Sequence, residues 1–259
     1  MSVAERLRAG DVEDRLAAMA ELAAPDAGDA ELDALASCLG HDRKIVQRRA
    51  AEAFGALAAG GVPVRPVLER ALHAPGARQR WGAAYALALI GAPPPETLPV
   101  LLEALGEDDG DLRWAAARIL VRMRDDAALR PTLVDLAAAG NAPQRKMALY
   151  CLRDLEAPSS DAERAALVAL RDADTAVRLA ALSALPAVAV DRPATARAVL
   201  ASLEDGDGGV RRAAAAALGK LGSRSDEITA ALRAAAGGAD VSLTRAAERA
   251  MRLLGVPER

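Results

Sequence analysis

The sequence predicts an all-α protein, a solenoid of eight stacked two-helix repeats. One frame, in most copies an Asp or Asn four residues before an Arg and in every copy an alanine three beyond that position, returns along the chain at spacings of 32 or 33 residues. Periods of that size mark arrays in which each unit buries its apolar face only against its neighbours. An alanine stands at the same offset in every copy. Hydrophobic residues make up 52% of the 259 residues but aromatic ones only 2%, so the core is built of Ala, Leu and Val, side chains that suit close helix packing.

The frame is clearest in DGGVRRAAAAALG, Asp207 to Gly219, and is shared by DTAVRLAALSAL from Asp174 and DGDLRWAAARIL from Asp109. Extending it gives eight register positions: Arg15, Gln47, Arg80, Arg113, Arg145, Arg178, Arg211 and Thr244. Three residues beyond each stands an alanine: Ala18, Ala50, Ala83, Ala116, Ala148, Ala181, Ala214 and Ala247. Seven residues beyond comes Leu22, Phe54, Leu87, Leu120, Leu152, Leu185, Leu218 or Met251. Offsets of 3 and 7 share one face of a helix.

Each repeat reads as helix, short turn, capped helix. Leu7, Leu39, Leu72, Leu105, Leu170 and Leu203, eight before the register position, close the first helix. Four before it, Asp11, Asp109, Asn141, Asp174, Asp207 and Asp240 supply the acceptor that the start of the second helix needs. Pro66, Pro131 and Pro193 fall near the beginnings of first helices, where a missing N–H costs little. Pro99 is expected in an opening turn and Pro186 at the end of its helix, with a kink tolerable at either. The repeats are bounded at about 1–27, 28–60, 61–93, 94–125, 126–157, 158–190, 191–223 and 224–259, forming one domain. Asp14, Glu21 and Glu248 replace residues that are apolar in most copies. A terminal repeat has a face with no neighbour, so the chain is expected to be complete.

A net charge of −3 with 27% charged residues excludes a strongly basic nucleic-acid binder and a disordered acidic tail. The charged start, MSVAERLRAGDVEDR, is not a secretory leader, and no apolar run approaches the roughly 20 residues of a membrane span. Cys38 and Cys151 lie in different repeats, too far apart for a bridge. The expected compartment is cytoplasmic, with reduced thiols.

The second-helix pattern, Asp-x-x-Val-Arg-x-Ala-Ala-x-x-Ala-Leu-Gly, resembles HEAT repeats, in particular the short bacterial HEAT-like repeats first associated with phycobilin lyases. The likeness covers nearly the whole chain and is strongest between residues 98 and 220. It implies a right-handed α-α superhelix, with first helices on the convex side and second helices on the concave side. It also implies a ladder of the recurring Asp and Arg between repeats, interrupted at Gln47, Thr244, Arg43 and Gly76. The family includes scaffolds, transport adaptors, lyase chaperones and a few DNA glycosylases, so the fold does not decide the function.

Catalytic signals are weak. His41 and His73, the only histidines, sit near the ends of first helices as turn residues. No Cys or His cluster has metal-ligand spacing, no Gly-rich loop follows a strand, and no cofactor is implied. Cys151 occupies a core position, and the acid pairs Asp108 with Asp109 and Asp125 with Asp126 fall in turns.

If offsets 3 and 7 face the core, offsets 1, 5 and 9 form the opposite ridge of each second helix. The first of these rows contains Arg48, Trp81, Trp114, Lys146, Arg212 and Arg245, and the second Tyr85, Arg118, Tyr150 and Arg249. Both tryptophans and both tyrosines of the chain therefore fall on the ridge. Arg122, Lys220 and Ala24 belong to the third row. The 24 positions hold eight Lys or Arg against two acids, Glu52 and Asp154, in a chain that is acidic overall. Two accounts fit: a basic, aromatic surface that binds a partner, or rings that merely pack between neighbouring second helices beneath Arg stems.

The function expected is a non-catalytic protein-binding scaffold or adaptor that uses a basic, aromatic concave groove. Its partner-binding residues would be Arg48, Trp81, Tyr85, Trp114, Arg118, Arg122, Lys146, Tyr150, Arg212, Arg245 and Arg249, gripping a protein or peptide with an acidic segment. The alternatives are a nucleic-acid-binding, glycosylase-like solenoid, and a lyase or chaperone acting on a tetrapyrrole-carrying partner, which only the family resemblance suggests. Neither a membrane nor a metal enters any of these.

Overall fold

In the computed structural model, which describes residues 1–22 and 27–256, there is no strand among the described residues. They form sixteen α-helices: α1 (Val3–Ala9), α2 (Val12–Glu21), α3 (Asp29–Cys38), α4 (Lys44–Ala59), α5 (Arg65–Ala71), α6 (Ala77–Ile90), α7 (Leu98–Ala104), α8 (Gly110–Arg122), α9 (Leu129–Ala139), α10 (Ala142–Asp154), α11 (Ser160–Ala169), α12 (Thr175–Val188), α13 (Arg192–Val199), α14 (Gly208–Leu221), α15 (Asp226–Ala236) and α16 (Val241–Leu253). Short 3-10 turns at Pro95–Thr97 and Leu200–Glu204 enter α7 and follow α13.

Two compact units result, Met1–Ala104 with Arg118–Asp126, and Leu105–Ala117 with Ala127–Arg259. In the first, α1, α3 and α5 pack in one row, α2, α4 and α6 in a second, and each helix of the first row packs on the helix that follows it. In the second, α10, α12, α14 and α16 lie side by side, with α9, α11, α13 and α15 packed against them in order.

The starts of the second helices follow the sequence. Asp11, Asp174, Asp207 and Asp240 each accept from backbone N–H groups of the first turn, and Asn141 forms a reciprocal capping box with Gln144. Arg43 and Gly76, where the pattern departs, give no side-chain cap. Pro66 and Pro193 occupy the second position of α5 and α13, and Pro99 that of α7, all within the first turn. Pro186 corrects the expectation. It lies inside α12, which runs on to Val188. Its fixed φ is helical, and it costs α12 the one bond that an N–H at this position would make to the Leu182 carbonyl. Its carbonyl is used, accepting from Arg192 at 3.2 Å.

All eight offset-3 alanines are 0% exposed. That uniformity has a steric origin. Helices of one row approach closely enough that a Cβ on Gly219 of α14 would lie 2.8 Å from the Ala250 Cα of α16, so only small side chains fit where they cross. The large apolar side chains at offset 7 are buried in the six inner copies, whereas Leu22 and Met251 are half-exposed. Glu21, in the first copy, is ion-paired with Arg6, which holds its carboxyl below the usual range.

The Arg ladder exists, with a different acid from the one expected. Each register Arg reaches back to carbonyls of the preceding turn: Arg145 to Gly140 at 2.8 Å, Arg178 to Asp172 at 2.9 Å, Arg211 to Asp205 at 2.8 Å. Two of them also fork onto an acid of the next repeat, Arg145 onto Asp172 at 2.7 and 2.8 Å and Arg178 onto Asp205 at 2.9 and 3.1 Å. These acids lie six before the register position, not four. The reason is that Asp174 and Asp207 are engaged in capping their own helices. Asp240 does both, capping with Oδ1 and accepting from Arg211 at 3.3 Å with Oδ2. In the first unit Arg80 pairs with Glu103 at 2.7 Å. The side chains of Gln47 and Thr244 bond to carbonyls of the turn before them, so the ladder is interrupted there as expected. It is also interrupted at Arg113, which was not expected: its guanidinium bonds to the Glu107 and Asp108 carbonyls and meets no acid of the next repeat among the described residues.

Candidate functional site

No described position of the ridge is buried; Ala24 lies outside the described residues. The helical period that sends offsets 3 and 7 inward carries offsets 1, 5 and 9 out, and the two units present different surfaces there.

In the first unit, Trp81 and Tyr85 stand one turn apart on α6, ring centroids 5.8 Å apart and tilted by 32°. Arg48 on α4 and Arg118 on α8 are exposed and have no hydrogen-bond or ion-pair partner among the described residues. Arg122 is different. It donates to the carbonyls of Ala88 at 2.9 Å and Gly91 at 2.8 Å, and so caps the end of α6. A cation there meets the negative end of the helix dipole.

In the second unit, Trp114 of α8 stacks on Tyr150 of α10 with centroids 5.3 Å apart and planes at 23°. Arg153 covers the tyrosine, its guanidinium carbon 4.8 Å from the ring centroid. Tyr150 thus lies in contact with both a ring and a cation, while Trp114 remains 44% exposed. Arg153 is held by Asp154 at 2.6 Å and by the Ser183 hydroxyl at 2.9 Å, and the Asp154 bond raises its pKa further. The sequence reading missed Arg153. It stands seven residues beyond Lys146, two turns along the same side, and that spacing is the signal that would have found it. Lys146 is half-buried, and Arg212, Arg245 and Arg249 are exposed. None of the four has a partner among the described residues. Arg245 and Arg249 border a cavity of about 420 Å³ between α14 and α16.

Neither thiol is open to solvent. Cys38 and Cys151 are free and buried. Burial pushes the Cys151 thiol up to about 12 and raises that of Cys38, whose sulfur donates to the Leu7 carbonyl at 3.2 Å. The His41 Nδ1 accepts the backbone N–H of Arg43 at 3.0 Å, the part of a turn residue. No group of three or more metal-ligating side chains occurs among the described residues.

With this geometry in view, the profile of HEAT repeats matches residues 64–153 and 163–252. The chain belongs to the HEAT-repeat family. Solved structures agree on the fold. An engineered protein aligns at 21% identity and a TM-score of 0.54, covering 98% of this chain and 77% of its own. YibA of Escherichia coli aligns at 19% identity and a TM-score of 0.60, covering 98% and 92%. Importin beta aligns at 17% identity and a TM-score of 0.63, and this chain spans 40% of it. No curated protein matches this HEAT-repeat chain in sequence. No helix among the described residues is long and apolar enough to cross a membrane.

Proposed function

We propose that this HEAT-repeat protein is a non-catalytic binding scaffold that grips a protein segment on the exposed ridge of its second helices, the concave side of the solenoid. The observation that carries the reading is the Trp114–Tyr150–Arg153 cluster beside Lys146. A tryptophan 44% exposed, in a chain with two, sits on the face turned away from the core. Exposed rings with cations are the composition of interface centres. The partner is an acidic protein or peptide, and the cytoplasm, where buried thiols stay reduced, is the setting.

The test is quantitative affinity purification with wild-type protein and with Trp114→Ala, Lys146→Ala and Arg118→Ala, each checked for native helicity. Partner binding should weaken by about 2 kcal/mol or more for the tryptophan. Recovery of the same proteins at the same yield with Trp114→Ala would refute the reading. The unpaired cations together with stacked rings also suit nucleic acid, and salt separates the two. Binding through several phosphates falls by orders of magnitude between about 50 and 200 mM salt, whereas a ring-anchored protein complex changes far less.

A further inference from the structure

We infer that the furrow between α14 and α16 seats one large apolar side chain of an acidic partner segment, an inference that rests on the scaffold reading. The cavity there, about 420 Å³, has a floor of Ala216 and Ala250 with Leu253, and a rim of Lys220, Arg245 and Arg249. Its origin lies in the sequence. Ala216 stands in the row that carries Tyr85 and Tyr150 in other repeats, so the space a ring would fill is open. Gly219 lets the helices close against Ala250, where an added Cβ would lie 2.8 Å from the Ala250 Cα. Leu253 remains 60% exposed.

The charges say what enters. In the frame of the repeats, Arg212 of α14 and Arg249 of α16 take the places that Trp114 and Tyr150 hold between α8 and α10. Two cations replace two stacked rings. No acid among the described residues lines the cavity, and none of Arg212, Lys220, Arg245 and Arg249 has a side-chain partner among them. Seating a purely apolar helix would strip water from these cations without compensation. A bare polyanion would leave the apolar floor unused. A segment with a central Leu or Phe flanked by Asp and Glu satisfies both, through apolar burial and charge-assisted hydrogen bonds to the rim.

The experiment uses the full chain and a fluorescein-labelled peptide of Asp, Glu and Gly with one central Leu, read by fluorescence anisotropy. The peptide is expected to bind, and its central-Ala counterpart about tenfold or more weaker. Ala216→Leu, which fills the cavity from an exposed position, and Arg249→Glu should each weaken the Leu peptide about tenfold or more. Arg130→Ala, at an exposed position of α9 that does not line the cavity, should leave it within about twofold. Equal binding of the Leu and Ala peptides, or an Ala216→Leu variant that binds as wild type does, overturns the inference. So does oligothymidylate that binds more tightly than the peptide and is lost with Arg249→Glu. The two readings fail separately. Partner capture that depends on Trp114 with no effect of Ala216→Leu on the peptide removes the cavity and keeps the ridge. Peptide binding that depends on Ala216, with capture indifferent to Trp114→Ala, removes the ridge proposal alone.

Discussion

Two glycines inside helices should respond with opposite signs to the same substitution. Gly55 of α4 has nothing within 4 Å of where a Cβ would stand, so Gly55→Ala brings only the gain in helix propensity, about 0.5–1 kcal/mol. Gly82 of α6 is buried, and a Cβ there would lie 2.7 Å from the Leu39 Cβ, 2.8 Å from the Leu39 carbonyl oxygen and 3.2 Å from its Cα. The obstacle is the backbone at the end of α3, which cannot swing aside as a side chain tip does. Forcing a methyl into such a contact costs about 1–3 kcal/mol, and the propensity gain offsets at most about 1 of these. The net expectation is a loss of up to about 2.5 kcal/mol for Gly82→Ala against a gain of up to about 1 for Gly55→Ala. Thermal unfolding followed by circular dichroism reads the difference, at about 2–4 °C per kcal/mol for a protein of this size. Melting points that rise together would refute the close approach of α3 and α6.

Ala181→Leu, at a fully buried crossing, should lose about 1–3 kcal/mol, whereas Ala216→Leu, on the exposed ridge, should leave the melting point within a degree or two; equal losses would contradict the face assignment. Acid should loosen the Arg ladder. The Arg145 guanidinium holds the Asp172 carboxyl below the usual range, and Arg178 does the same for Asp205. The unfolded chain therefore binds these protons more readily, so the stabilisation is full above the ordinary carboxylate value of about 3.9 and is lost as pH falls through the lower folded values. Asp172→Asn combined with Asp205→Asn should flatten that acid limb in pH-dependent urea unfolding, and an unchanged limb would show the pairs contribute nothing. Both thiols should resist a disulfide reagent at pH 8 and react on unfolding, given burial at Cys38 and a Cys151 thiol pushed up to about 12; prompt labelling of the native protein would contradict that burial.

Much of this was written in local pattern. The repeat frame, the capped second helices and the burial of every offset-3 alanine follow from spacing, because an α-helix turns each position by a constant angle and two turns suffice to separate core from surface. The same periodicity brought Trp81, Tyr85, Trp114 and Tyr150 to the ridge. Composition alone implied a core of small side chains, since nothing else in the chain is abundant enough to fill one.

Other features depend on partners distant in sequence, and only the tertiary structure decided them. Arg122 stands in the ridge row, yet it caps α6 because the carbonyls of Ala88 and Gly91 come within reach. Arg145 pairs with Asp172 rather than with Asp174, whose carboxylate caps α12. Pro186 continued a helix it was expected to end. Trp114 found Tyr150 36 residues away, and Arg153 closed over it. Spacing determines which face a side chain leaves from, because that is a property of one helix. What it meets there depends on how neighbouring helices are placed, which is a property of the packed array.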